Sequence, residues 1–154
     1  MEVNFRIYHY WRSPCAMKGV KMIVFVCIDD RGGMMFNHRR LSQDRRLREY
    51  ILELTAGGRL WMNAYSREQF PEDAHVCTDE NFLSRAAEGE FCFVEDQELS
   101  PFRKQIERII LFCWNRSYPA DFHFDRSLLE GRKLVFTEEF QGFSHEMITR
   151  EDYE

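Results

Sequence analysis

The sequence predicts an α/β fold in which a mixed, mostly parallel sheet carries helices on both faces and ends in a C-terminal antiparallel hairpin. Residues 23–28 form a continuous apolar, β-branched run, as in a central strand that is buried on both faces. Strand-like and helical segments then alternate, which favours right-handed parallel crossovers. The last two strand-like segments are joined by four residues that include Gly142, a connection typical of an antiparallel pair.

The composition is that of one globular domain. The chain has 154 residues, of which 44% are hydrophobic and 15% aromatic, so it can bury a core and is unlike a disordered chain. No apolar run is long enough to span a bilayer, and no membrane partner is expected. The net charge of −5 disfavours a nucleic-acid surface, although arginines cluster between residues 39 and 48.

The five cysteines predict a reducing compartment. Their number is odd, none has C-x-x-C spacing, and Cys27, Cys92 and Cys113 fall within apolar, strand-like runs. We therefore interpret them as buried thiols of a cytoplasmic protein, in preference to disulfides or metal ligands.

Local signals place the elements in order along the chain. Turn residues end the first strand at 29–33, Ser42 suits the N-cap of a first helix, and Gly57-Gly58 would end that helix. Ser66 and Asp79 are expected to cap two further short helices. The other predicted segments are strands at 60–62, 75–77, 91–94 and 108–114, a helix at 99–106, and a hairpin of 133–140 with 146–153. The residues expected to be buried at the sheet centre are Val24, Val26, Phe93, Ile110 and Phe112.

The order and spacing of these segments resemble the dihydrofolate reductase family. There a buried strand ends in a glycine pair and leads through a helix and a long strand to a loop that reads G-D-T-x-F-P. The corresponding segments here are Phe91–Val94, Glu95-Asp96, Leu99–Ile106, Arg108–Trp114 and Ala120–Phe124. Upstream, residues 22–37 resemble its first strand and mobile loop, and residues 60–66 resemble a turn that reads M-G-R-x-T. The resemblance covers most of residues 22–154 and implies a three-layer fold.

The resemblance implies NADPH as the cofactor, but the residues that would bind it differ. Adjacent glycines let backbone N–H groups approach a pyrophosphate, whereas Glu95 and Asp96 add bulk and two negative charges. Asn63 and Ala64 replace the glycine and the phosphate-binding arginine of the turn, and only Ser66 keeps a hydroxyl. We therefore expect no dinucleotide cofactor, with NADPH bound in a divergent way as the alternative.

The resemblance also implies an acidic residue near the start of the first helix, which supports protonation of the pterin ring. Asp44 is the acid nearest to that point and is the candidate catalytic residue. Counting back from Met62 places Leu47 at the matching position, so Asp44 lies one helical turn too early. The competing interpretation of Asp44 is a first-turn carboxylate that the helix dipole stabilises.

Ligands of open α/β sheets bind beyond the carboxyl ends of the strands. That rule gives the predicted ligand-binding residues: Asn63, Tyr65, Ser66, Glu95, Asp96, Asn115 and Arg116. The leading hypothesis is a dihydrofolate-reductase-like domain that has lost NADPH and binds a small anionic or nucleotide-like ligand in this cleft. The alternatives are a reductase with a divergent cofactor site and an RNA-processing or RNA-binding protein that uses the arginine cluster. Whether the chain forms a homodimer stays open.

Two other groups of residues have simpler interpretations. Asp121, His123 and Asp125 would share one face of a strand and could hold a cation. Their apolar neighbours fit a strand with one wet face equally well, so no metal site is predicted. The segment Ser144-His145-Glu146 is interpreted as a capped loop rather than as a catalytic pair.

Residues 1–21 lie outside the resemblance and lack the pattern of a signal peptide. Met17 and Met22 are alternative starts, so this segment is either an upstream-start artefact or a loosely attached N-terminal extension. Within it, Asn4–Trp11 is aromatic enough to add a strand to the sheet. The expected organisation is this extension followed by a single domain at residues 22–154.

We predict that residues 22–154 fold without the first 21 residues, because every segment that matches the fold lies after that point. Circular dichroism spectra and melting temperatures of the truncated and full chains should agree within a few degrees. Insolubility of the truncated chain, together with an ordered N-terminal strand in the full chain, would contradict this expectation.

Overall fold

The computed structural model describes residues 21–154, so the predicted strand at Asn4–Trp11 and nearly all of the extension lie outside the described residues. The strands are β1 (Met22–Ile28), β2 (Gly33–Phe36), β3 (Arg39–Arg40), β4 (Leu60–Met62), β5 (Cys77–Thr78), β6 (Phe91–Phe93), β7 (Ile106–Cys113), β8 (Phe122–His123), β9 (Leu134–Phe140) and β10 (Ile148–Tyr153). The helices are α1 (Arg45–Leu54), α2 (Ala64–Arg67), α3 (Phe82–Arg85) and two 3₁₀ helices, Ser100–Gln105 and Arg126–Leu129. None of these described helices has the length and apolar character that crossing a bilayer requires.

The larger sheet has seven strands in the order β5-β4-β6-β1-β7-β10-β9. β1 lies at its centre and runs parallel to both neighbours, so that Val24 is opposite Cys92 of β6 and Ile109 of β7. β10 runs antiparallel to β7 and to β9. The mixed, mostly parallel sheet and its antiparallel C-terminal hairpin confirm the predicted fold class.

Alternating side chains of the central strands divide the interior into two cores. Val24 and Val26 of β1 belong to the core that α3 and the 3₁₀ helices cover, whereas Phe25 points to the opposite face. On that second face Leu47 and Ile51 of α1 complete the core. The five side chains expected at the sheet centre are all buried, with at most 4% of their surface exposed. A central strand that is buried on both faces reads as a continuous apolar run, which is why the sequence predicted it.

The helix caps differ from those predicted. α1 is capped by Asp44 rather than Ser42, since the Asp44 carboxylate accepts hydrogen bonds from the N–H groups of Arg46 and Leu47. α2 is capped by Asn63 rather than Ser66. In both cases the side chain of the observed cap accepts a hydrogen bond from the N–H group three residues later. The hydroxyls of the two predicted serines bond other residues instead.

The loop after β1 and the segment after β6 also differ from expectation. Residues 30–37, which resemble a mobile loop, contribute β2 to a second, three-stranded sheet with β3 and β8. The predicted helix at 99–106 is a shorter 3₁₀ helix, with Pro101 at its start. Because Ile106 already pairs with Met22, β7 begins two residues earlier than predicted.

The cysteines in the described part of the chain are free thiols. Burial raises the pKa of the Cys92 and Cys113 thiols to about 12, so neither is a ready nucleophile. These two and Cys27 lie in strands, as predicted, and Cys15 lies outside the described residues.

The strand β9 forms one edge of the larger sheet. Three consecutive apolar side chains at its start are 43–51% exposed: Leu134, Val135 and Phe136. At the opposite edge, β5 is only two residues long.

We predict that Phe112→Ala destabilises the domain by about 3–5 kcal/mol, the usual cost of removing a buried phenyl ring. Phe112 is fully buried, stacks on Phe25 with 6.0 Å between ring centroids, and meets Tyr50 and Phe140 edge-on. Urea unfolding gives the measurement. Phe143→Ala is the matched control, because that ring is 70% exposed and its loss should change stability by less than about 1 kcal/mol. Equal effects of the two changes would contradict the core assignment.

Candidate functional site

The carboxyl ends of five strands of the larger sheet meet at one edge. β1 ends before Asp29, β4 before Asn63, β6 before Val94-Glu95 and β7 before Trp114, and β5 ends nearby at Thr78. Asp29, Asn63 and Glu95 are buried there although they are polar. Buried polar groups need hydrogen-bond partners, so their partners define what the cleft can bind.

The Glu95 carboxylate lies buried at the end of β6 and is held by two residues. The Arg40 guanidinium donates two hydrogen bonds to it, 3.0 Å from Nε and 3.2 Å from Nη2, and the Ser66 hydroxyl donates a third at 2.8 Å. Glu95 thus lies where the resemblance places the glycine pair, and it accepts a hydrogen bond from Ser66, the residue that keeps a hydroxyl in the M-G-R-x-T turn.

Arg40 is fixed in place by Tyr65 as well as by Glu95. The Arg40 guanidinium lies over the Tyr65 ring at 4.2 Å from its centroid and donates to the Tyr65 carbonyl at 3.1 Å. The Arg40 backbone N–H donates to the Tyr65 hydroxyl at 2.8 Å. Burial alone would lower the pKa of Arg40, but the hydrogen bond and the charge of Glu95 raise it above its usual value. Arg40 therefore stays charged.

The N-terminus of α2 is likewise occupied by side chains of the same chain. The Asn63 side-chain oxygen accepts from the Ser66 N–H at 3.0 Å, and its amide donates to Asp96 at 2.9 Å. The N–H of Ala64 donates to the Glu80 carboxylate at 2.9 Å. A helix N-terminus attracts anions, and here the Glu80 carboxylate accepts from a backbone N–H of α2, whereas Asp96 accepts from the side chain of the cap residue Asn63.

Asp44 is buried and accepts hydrogen bonds on both carboxylate oxygens. Besides capping α1, it accepts from the N–H groups of Phe143 at 3.1 Å and Ser144 at 2.9 Å, in the loop between β9 and β10. It also bonds His145 Nδ1 at 2.8 Å. Burial alone would raise the pKa of the Asp44 carboxyl, but His145 and the backbone N–H groups outweigh it and hold the pKa far below its usual range. Asp44 is therefore ionised, and its carboxylate joins the start of α1 to the loop between β9 and β10.

His145, which the sequence placed in a capped loop, is buried against the start of α1. Its ring is buried, stacks on Trp114 with 4.6 Å between ring centroids, and lies with Nε2 2.8 Å from the Ser42 hydroxyl. A histidine in a short polar loop between two strands carries no local sign that it packs against a distant helix start. The only available signal was its place in Ser144-His145-Glu146, directly after a glycine-containing turn.

The predicted residues Asn115 and Arg116 face the β9–β10 loop. The Asn115 amide donates to the Met147 carbonyl at 3.1 Å and to the Thr149 hydroxyl at 2.9 Å, and Arg116 donates to the Ser144 carbonyl at 3.3 Å. Asn115 has a φ of 60°, a conformation that asparagine tolerates better than most residues. Asn115 and Arg116 therefore use these hydrogen bonds to contact the β9–β10 hairpin, and not the group around Glu95.

Asp29, at the end of β1, closes the turn that follows it. Burial alone would raise its pKa, but hydrogen bonds from the N–H groups of Tyr118, Gly33 and Arg31 lower it below the usual value. The shortest of these bonds, from Gly33, is 2.7 Å long. A Cβ on Gly33 would lie 2.6 Å from the Ala120 side chain, so only glycine fits this close approach.

Two of the residues considered as cation ligands, Asp121 and Asp125, form hydrogen bonds with different parts of the structure. Asp121 accepts from the N–H of Asn37, while Asp125 caps the second 3₁₀ helix and bonds Ser100. Over residues 21–154, no cluster of three or more histidine, cysteine or acidic side chains has the arrangement of a metal site.

Three arginines of the cluster, Arg40, Arg45 and Arg46, form ion pairs, and two of these pairs lie along α1. Arg45 pairs with Glu49 at 3.5 Å, and Arg46 pairs with Glu53 at 3.4 Å. Arg40 faces inward to Glu95, so the cluster does not form a single exposed basic patch.

Comparison with known proteins identifies the fold. No protein-family model matches the chain, and no curated protein matches it. Among solved structures, the chain is similar to dihydrofolate reductase from Enterococcus faecalis complexed with NADP(H) and RAB-propyl, with a TM-score of 0.61 over 86% of this chain and 95% of that one. The two sequences are 12% identical. The chain therefore has a dihydrofolate-reductase-like fold, as the resemblance implied.

We predict that Arg40→Met destabilises the domain by about 3 kcal/mol, because removing one partner of a buried ion pair leaves the other charge uncompensated. Glu95 would keep only the Ser66 hydroxyl. Arg39→Met is the matched control, since Arg39 is the exposed neighbour on the same strand. Urea unfolding of both variants at pH 7 measures the difference, and equal stabilities would show that the pair is not structural.

Proposed function

We propose that this chain is a small-molecule-binding domain of dihydrofolate-reductase-like fold that does not use a dinucleotide cofactor. The observation that carries the proposal is the Glu95 carboxylate, bound by Arg40 and Ser66 at the place where the resemblance puts the cofactor pyrophosphate. Fold alone does not fix function, because function depends on the residues that line the site.

Two costs oppose dinucleotide binding. A pyrophosphate would have to displace Glu95 from its three hydrogen bonds, which leaves a buried carboxylate without partners. It would also approach Asp96 and Glu80, and each unit charge at about 4 Å costs roughly 1 kcal/mol in water and several times more in a partly buried cleft. Unlike a flexible surface residue, Glu95 is only 7% exposed and cannot turn into solvent without breaking the ion pair.

The charges around the cleft refine the ligand class. The sequence suggests a small anionic or nucleotide-like ligand. Within that class, the negative charges of Asp29, Glu95 and Asp96 favour a ligand that carries no charge. A nucleoside-like ligand without a pyrophosphate could use the free hydrogen-bonding capacity of these carboxylates as acceptors. An anion would have to compete with Glu95 for Arg40.

Fewer observations support the RNA-binding alternative than support the small-molecule-binding proposal. Arg45 and Arg46 are paired with glutamates on α1, which weakens any attraction that they exert on a phosphate backbone. The net charge of −5 acts in the same direction.

We predict that NADPH binds the natural protein no more tightly than millimolar. The triple variant Glu95→Gly, Asp96→Gly, Ala64→Arg should bind it about a hundredfold more tightly. It removes two repelling carboxylates, restores close backbone approach and adds a guanidinium, each worth on the order of 1 kcal/mol. Calorimetric titration at low salt measures both affinities.

The single variant Ala64→Arg is the control that leaves Glu95 in place, and it should gain less than tenfold. Melting temperatures establish that each variant is folded at the titration temperature. Micromolar binding of NADPH by the natural protein would overturn the proposal and favour a reductase with a divergent cofactor site.

A further inference from the structure

Three side chains between the start of α1 and the β9–β10 loop form a hydrogen-bonded relay that no part of the proposed function uses. Ser42 Oγ lies 2.8 Å from His145 Nε2, and His145 Nδ1 lies 2.8 Å from Asp44 Oδ2. We propose that Ser42 is the nucleophile of a hydrolytic site for small, uncharged carboxylic esters, with His145 as its general base and Asp44 as the group that orients His145. The order of the three groups is that of the serine-hydrolase triad, which is recognised by geometry rather than by sequence position.

The ionised state of Asp44 sets the polarity of the relay. Because the Asp44 carboxylate can only accept a hydrogen bond, the proton of a neutral His145 lies on Nδ1. Nε2 then carries the lone pair and accepts the hydrogen bond of the Ser42 hydroxyl. This tautomer is the one in which imidazole can take a proton from serine.

The His145 ring is held rigidly in this orientation. It is buried, and Trp114 stacks on one face with an interplanar angle of 25°. Gly142 lets the loop approach, since a Cβ there would lie 2.7 Å from Asp44 Oδ2 and 2.9 Å from the His145 carbonyl oxygen. A fixed base avoids the entropic cost of aligning the groups during reaction.

The relay exceeds what capping and loop attachment require. Asp44 caps α1 through Oδ1 and binds the loop through Phe143 and Ser144, and neither task uses His145 Nε2. Ser42 lies between β3 and α1 and is half-buried, so the residue is partly accessible from solvent while its hydroxyl meets His145.

The start of α1 supplies donors for the charge that develops on the substrate. The backbone N–H groups of Gln43 and Asp44 follow the nucleophile directly and precede a helix of ten residues. The positive end of the helix dipole favours an oxyanion there, and backbone donors next to the nucleophile are a common way to hold one.

The reaction conserves atoms and charge in two steps. Ser42 Oγ bonds to the ester carbonyl carbon as its proton passes to His145 Nε2, and the C–O bond to the alcohol then breaks as that proton passes to the leaving oxygen. Water next adds to the acyl group on Ser42 while giving a proton to Nε2. The acid leaves as the proton returns to Ser42 Oγ, so one ester and one water yield one acid and one alcohol.

The test uses a fluorophosphonate probe on the full natural chain, followed by peptide mass spectrometry. Attack by Ser42 forms a P–O bond and releases fluoride, so the expected result is one adduct, at Ser42, at least tenfold faster than at the exposed serine Ser84. The same protein should hydrolyse p-nitrophenyl acetate, and Ser42→Ala should abolish both signals. Ser84→Ala, an exposed control on α3, should leave both rates unchanged.

Asp44→Asn separates catalysis from structure, because asparagine remains a good helix cap but can no longer fix the reactive tautomer of His145. Labelling at Ser42 should fall at least tenfold in this variant while circular dichroism stays unchanged. If Asp44→Asn melts below the assay temperature, His145→Gln provides the same comparison. Labelling of Ser42 in the natural chain at the rate of Ser84, or undiminished labelling in a folded Asp44→Asn or His145→Gln variant, would overturn the proposal.

Discussion

The arrangement of the cleft depends on the buried carboxylate of Asp44. It joins the first turn of α1 to the loop between β9 and β10, two segments about 100 residues apart in the chain. Hydrogen bonds to a charged group each contribute roughly 1.5–3 kcal/mol, and the loss of the acceptor would also leave several donors unsatisfied. Because Asp44 fixes α1, His145 and the hairpin together, the geometry on one side of the cleft follows from this one residue.

On the other side of the cleft Glu95 is the buried acid, and its hydrogen-bond partners are of a different kind. Asp44 accepts from backbone N–H groups and from His145, whereas Glu95 accepts from the Arg40 guanidinium and the Ser66 hydroxyl. The chain shares its fold with dihydrofolate reductase at 12% sequence identity, and a shared fold does not by itself imply a shared ligand.

Much of the fold could be predicted from the sequence, because buried strands appear as apolar runs and parallel crossovers appear as alternating strand-like and helical segments. The run that became β1 and the buried residue Phe112 are examples. The arrangement of the site was harder to predict from the sequence. Glu95 was predicted to line the cleft and to oppose phosphate binding, but its partner Arg40 is 55 residues away and belongs to a cluster that was interpreted as solvated. The role of His145 was missed for the same reason, since its neighbour Asp44 is distant in the chain and hydrogen-bonding partners of that kind leave no periodic signal.

The two edges of the larger sheet differ in what they offer to other chains. The two-residue strand β5 presents almost no backbone for pairing, whereas β9 presents seven residues, beginning with the exposed Leu134-Val135-Phe136. An edge of this length with adjacent apolar side chains is a template for a further strand. Within the described residues, the backbone groups that could pair with a further strand therefore lie mainly along β9 and scarcely at β5.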